Sequence, residues 1–118
     1  MALQVNHPVS ELYITATSSQ IGTPPVVAAF SAPFRGKIMK VGVVQSGAVT
    51  GTTTVTTKIN ATTVTGGTLT VTGGTAQSLF TASPTAANNF AEDDVISFTP
   101  ASGTGSATGN FFAIVRRT

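Results

Sequence analysis

Few side chains in this sequence could carry chemistry. Its one histidine, His7, stands close to Ser10 and Glu11, a set that superficially suggests a nucleophilic triad. Triad members converge from distant segments onto a rigid scaffold, whereas His7 precedes Pro8 in an N-terminal arm, so it reads as a polar arm residue. The one acidic cluster is Glu92, Asp93 and Asp94. Calcium needs several oxygen ligands from a curved loop. The alternating Asp spacing of such loops is absent, and the cluster reads as a polar turn entering a strand at Val95. Gly103, Thr104 and Gly105 superficially resemble a phosphate-binding glycine loop, but that loop must join a strand to a helix, and strands are expected on both sides. Asn60-Ala61-Thr62 fits a glycosylation sequon and is read as accidental. There is no cysteine, which excludes disulfides and thiolate metal sites. These residues predict neither an enzyme nor a metal or cofactor site.

Charge is scarce. Charged residues make up 8% of the chain, against about 25% in ordinary globular proteins. The surface must therefore consist of hydroxyls, amides and apolar groups, and low net charge favours association. Arg35, Lys37 and Lys40 form one loose basic group, and Arg116 and Arg117 form another. Nucleic-acid binders carry a dense basic face, so no nucleic-acid partner is expected. The first ten residues have no basic and then apolar segment of the secretory kind. No apolar run approaches the roughly 20 residues of a membrane helix. A cytoplasmic origin without membrane association is the expectation.

The elements that must position these residues are strands. Ser10–Ser18 alternates, with Leu12, Ile14 and Ala16 on one face. Val26–Phe34, Gly36–Gly47, Thr52–Asn60, Thr62–Val71, Ala76–Ala82, Asp94–Pro100 and Gly109–Arg117 follow, separated by turn residues. The low-complexity stretch Gly51–Gly74 is not a linker: Val55, Thr57 and Ile59 alternate with Thr54, Thr56 and Lys58, as on a half-buried pleated face. Asn60-Ala61 suits a tight hairpin turn, and Gly66-Gly67 and Gly73-Gly74 suit turns or bulges. Residues 84–94 read as a loop with at most one helical turn. The expected architecture is all-β: one antiparallel β-sandwich or jelly roll over residues 11–118, preceded by a short extended arm over residues 1–10.

The order strand, Lys58-Ile59-Asn60-Ala61, strand, Ala91-Glu92-Asp93-Asp94-Val95-Ile96-Ser97, Gly/Ser loop, Phe111-Phe112-Ala113-Ile114-Val115, about the second half of the chain, resembles a compact C1q/TNF-like jelly roll. Ala61 and Asp93 stand where that group has glycines. The small, cysteine-free, Thr/Gly/Ala-rich chain is similar in style to tailed-bacteriophage head decoration (cement) proteins. That resemblance implies a structural virion protein without enzymatic activity. It would be made in the host cytoplasm, form a homotrimer on the outer capsid surface and contact the major capsid protein. Leu3, Val5, His7 and Val9 of the arm are then candidate capsid contacts. Phe111 and Phe112 are candidate trimer contacts. Adjacent strand residues point to opposite faces, so one phenylalanine should fill the sandwich and the other should be exposed in a monomer. The alternative is a receptor- or glycan-binding tip domain of a phage fibre or spike. Tyr13 is the sole Tyr and there is no Trp, so aromatic platforms are few.

Overall fold

The computed structural model describes residues 11–47, 49–72, 77–101 and 103–118, in which every regular element is a strand. The elements are β1 (Glu11–Ser18), β2 (Ala28–Ser31), β3 (Gly36–Gln45), β4 (Val49–Thr50), β5 (Thr52–Ile59), β6 (Thr62–Thr63), β7 (Leu69–Thr72), β8 (Leu79–Ala82), β9 (Asn89–Phe90), β10 (Val95–Ala101), β11 (Thr104–Gly105) and β12 (Gly109–Arg117). The expected arm, with Leu3, Val5, His7 and Val9, lies outside the described residues, as does the Gly73-Gly74 pair.

Two five-stranded antiparallel sheets face each other. One runs β1-β12-β3-β8, with β9 also on β3. The other runs β2-β10-β5-β6, with β7 also on β5. Four of the pairings nest, β1 with β12, β2 with β10, β3 with β8 and β5 with β7, and the β3–β12 and β5–β10 ladders join them within each sheet. That is the pattern of a long hairpin rolled into two sheets, a jelly roll. The small β4–β11 ladder is a third sheet.

Alternation builds the core. On β5, Thr53, Val55, Thr57 and Ile59 are buried, while Thr54, Thr56 and Lys58 are half-exposed. On β10 the inward residues are Ile96, Phe98 and Pro100. Phe98 stacks on Phe111 of the facing sheet at 4.8 Å between ring centroids, 10° from parallel. Burying a side chain of this size contributes about 1.5–3 kcal/mol. The two inward threonines are satisfied: Thr53 Oγ1 donates to the Ile21 carbonyl at 3.2 Å and Thr57 Oγ1 to the Gly67 carbonyl at 2.6 Å. Burial of a hydroxyl is tolerated when it is hydrogen-bonded. The Thr57 bond also ties β5 to the loop that follows β6.

Several strands are shorter than their patterns predict. The apolar run from Val26 keeps only Ala28–Ser31 as strand, and Val26 and Val27 are exposed. The run from Thr62 breaks after Thr63 and resumes at Leu69. Gly66 sits at φ +78 in the break, a left-handed conformation that glycine adopts without cost. Asn60 turns the β5–β6 hairpin at φ 54, as expected. Residues 84–94 hold no helical turn: they carry the short strand β9 and a turn over Ala91–Asp94.

Candidate functional site

The side chains that stand out lie on the outer face of the β1-β12-β3-β8 sheet. Register places Thr15, Phe112, Gly42 and Thr81 in one row across the four strands. The next row on one side is Tyr13, Ile114 and Lys40, and on the other Thr17, Asn110, Val44 and Leu79. Phe111 and Phe112 do point to opposite faces, Phe111 inward and 1% exposed. The expectation that the other ring stands exposed is corrected, because Phe112 is 9% exposed. Tyr13 covers it in an offset stack, 5.0 Å between centroids and 15° from parallel.

Gly42 is what lets Phe112 lie down. A Cβ at position 42 would fall 2.3 Å from Cε2 and Cζ of the Phe112 ring. The ring therefore occupies the space that any other residue would fill. Tyr13 itself is 59% exposed and Leu79 is 58% exposed. Between them Ile114 and Val44 are half-buried. The result is an apolar band across the sheet, flanked by Thr15, Thr17, Asn110 and Thr81.

Lys40 and Lys37 border this band at one end. A bulge on β3 lies between the pairs Ile114–Lys40 and Val115–Ile38, leaving Met39 without a partner in the register. In a regular strand, residues three apart face opposite sides. The bulge resets that alternation, so Ile38 and Val41 both face the core and Lys37 and Lys40 both face out.

No protein-family model and no curated protein matches the chain. Among solved structures, it is similar to one described as "CBM4 structure and function", at 12% sequence identity over 85% of this chain and 89% of that one, with a TM-score of 0.33.

The two basic groups, separate in the sequence, converge. β3 and β12 pair Lys37 with Arg116 and Gly36 with Arg117, and the Thr118 amide donates to the Arg35 carbonyl at 3.2 Å. Arg116 is neutralised by Glu11 Oε2, through Nε at 3.1 Å and Nη2 at 2.6 Å. The Arg117 guanidinium lies over the Phe34 ring, 4.5 Å from its centroid. The two loose basic groups of the sequence are brought together only by the β3–β12 pairing.

The acidic stretch is a turn, as the sequence suggests. Asp94 Oδ2 accepts from the Ala91 amide at 2.8 Å and Oδ1 accepts from Asn60 Nδ2 at 3.1 Å. Asn60 Oδ1 in turn accepts from the Val95 amide at 3.0 Å. The amide of Ala91 and then Asn60 stabilise the carboxylate and hold the Asp94 pKa below its ordinary value of 3.8. The clasp joins the β5–β6 turn to the start of β10. Gly103 packs against Thr53, and the Thr104-Gly105 segment forms β11 on β4, so this glycine loop joins strands.

The outer face of the second sheet differs in character. Thr52, Thr54, Thr56 and Lys58 of β5 lie beside Ser97 and Thr99 of β10 and Thr70 and Thr72 of β7. It is a carpet of hydroxyls with Lys58 as its one charge on these three strands.

Proposed function

We propose that the chain is a structural virion protein: a capsid decoration protein that binds the outer surface of a tailed-phage head as a homotrimer, contacts the major capsid protein and stabilises the lattice. It works without catalysis or a cofactor, and its arm residues Leu3, Val5, His7 and Val9 add to the capsid contact. The observation that carries this reading is the apolar band of Tyr13, Phe112, Ile114, Val44 and Leu79, bordered on its sheet face by Thr15, Thr17, Asn110, Thr81, Lys37 and Lys40. Contiguous exposed apolar area rimmed by polar groups marks an interaction surface. Cyclic association would bury it in one step. Phe112 takes part from beneath Tyr13, not as a free ring.

Receptor or glycan binding at the tip of a fibre or spike is the second reading, and one observation favours it. The Tyr13 ring is exposed with Thr15 next to it on the same strand face, and sugars pack their apolar faces on aromatic rings while polar neighbours bind their hydroxyls. Co-sedimentation separates the two. The purified protein is mixed with decoration-free capsids of the phage that encodes it and, separately, with host cells. Pelleting with capsids is the expected result. Pelleting with cells alone would overturn the decoration reading in favour of the second.

A further inference from the structure

The sheet that carries the apolar band ends in two open edges, and the two complement each other. Its order β1-β12-β3-β8 leaves β1 and β8 each paired on one side only, among the described residues. Its ladders are all antiparallel, so β1 and β8 run in opposite directions, as adjacent strands of one sheet would. The Gln45 amide donates to the Ser78 carbonyl at 3.3 Å and the Ser46 amide to the Thr108 carbonyl at 2.9 Å. After the bulge on β3, odd-numbered residues therefore bond toward β8 and even-numbered ones toward β12. Carried across the ladders, this alternation turns the main-chain groups of Tyr13 and Thr15 on β1, and of Leu79 and Thr81 on β8, to the open edges.

Neither edge is guarded. Edges are commonly blunted by lysine, proline or a bulge, and β1 and β8 have none of these. Their one charge, Glu11, is taken up by Arg116. Tyr13 and Leu79, 59% and 58% exposed, stand on opposite edges of the same face. Three strand spacings, about 14 Å, keep them apart within one copy. Leu12 points toward the sandwich by alternation and is still 38% exposed, because no described strand flanks β1 on that side. We propose that the trimer forms by continuing this sheet from copy to copy, β8 of one chain pairing antiparallel with β1 of the next. The inference rests on the trimer reading of the band and names the strands that make it. One register fits: Thr81 opposite Tyr13, Leu79 opposite Thr15, Phe80 opposite Ile14 and Ala82 opposite Leu12. It keeps outward residues beside outward ones, sets Leu79 diagonal to Tyr13 and covers Leu12. A slip of two residues one way leaves Leu12 bare, and the other way carries Ala82 past the start of β1. A head-to-tail contact of this kind can close into a ring.

Cross-linking tests the register in a chain that has no cysteine of its own. In a Thr15→Cys, Leu79→Cys double variant the two Cα atoms lie about 5.5 Å apart across the interface, within disulfide reach. Within one copy they are out of reach. Oxidised glutathione takes the two thiols to a disulfide and is itself reduced to two thiols. A non-reducing denaturing gel should then show species up to three chains and none larger. Thr17→Cys, Thr81→Cys, whose positions are out of register with each other, should stay as single chains. Thr15→Pro removes one edge-facing donor and no bond to β12, a place where a strand tolerates proline. It should keep the fold by circular dichroism and drop the mass by light scattering from three chains to one, while Thr15→Val stays at three. A trimeric wild type whose Thr15→Cys, Leu79→Cys variant does not cross-link would overturn the edge pairing and leave the trimer standing. Equal cross-linking of the out-of-register pair, species larger than three chains, or a Thr15→Pro variant that stays a trimer would also overturn it. A wild type that runs as a single chain would overturn the trimer reading itself, and the edge pairing with it.

Discussion

Tyr13, Phe112 and Gly42 act as one unit, and each was readable in the sequence to a different depth. The alternation Leu12, Ile14, Ala16 already turned Tyr13 outward, and the adjacency of Phe111 and Phe112 already forced one ring out. What local pattern could not show is that a residue on β1 would cover a ring on β12, or that a glycine on β3 would make room beneath it. Those contacts are separated by many tens of residues and depend on register. Gly42→Ala should push Phe112 out of its seat and destabilise the fold by about 1–3 kcal/mol, the cost of overpacking a filled site. Urea unfolding measures the loss. Near-ultraviolet circular dichroism of Tyr13, the sole tyrosine in a chain without tryptophan, reports the disturbed stack. The Asp94 clasp makes a second prediction at this scale. Its native pKa is lowered, so the group stabilises the fold above its ordinary pKa, and that contribution is lost as pH falls through the lowered native value. The melting temperature should therefore drop on acidification below about pH 4. In Asp94→Asn the drop should be smaller.

At the scale of elements, β5 was the clearest part of the sequence. Its Thr/Val alternation reproduced the observed burial residue by residue, because a strand with one solvated face keeps a strict period of two. The runs from Val26 and Thr62 form shorter strands than their patterns predict, for the opposite reason. Apolar and β-branched composition continues past the point where a partner strand is available, and pairing, not propensity, ends the element. The β3 bulge was invisible, since nothing in Ile38-Met39-Lys40-Val41 announces an extra residue. The buried hydroxyl on β5 gives a direct test of how the hairpin is tied to its loop. Thr57→Val keeps the shape but leaves the Gly67 carbonyl without the 2.6 Å donor. An unsatisfied buried acceptor costs about 1–3 kcal/mol, to be read as a lower urea midpoint with an unchanged slope. Thr56→Val, on the solvated face of the same strand, should change stability by less than about 0.5 kcal/mol.

At the scale of the whole molecule, the sequence conveyed the all-β class and the jelly-roll architecture, because short strands punctuated by turns have few ways to close. It did not convey where the surface works. The scarcity of charge was visible, but the fold sorts it. One sheet presents hydroxyls with Lys58 among them, the other an apolar band, and the cations of β3 and β12 gather at one end. The proposed trimer would bury the apolar band between copies. The most direct test is the solution mass of the wild type and of a Tyr13→Glu, Leu79→Glu double variant, by light scattering at micromolar concentration. These positions are well exposed in the single chain, so the variant should stay folded by circular dichroism. The expected result is a wild-type mass about three times the 11.9 kDa of one chain, falling to one chain in the variant. A wild type that runs as a single chain, or a variant that stays a trimer, would show that the band is not buried between copies.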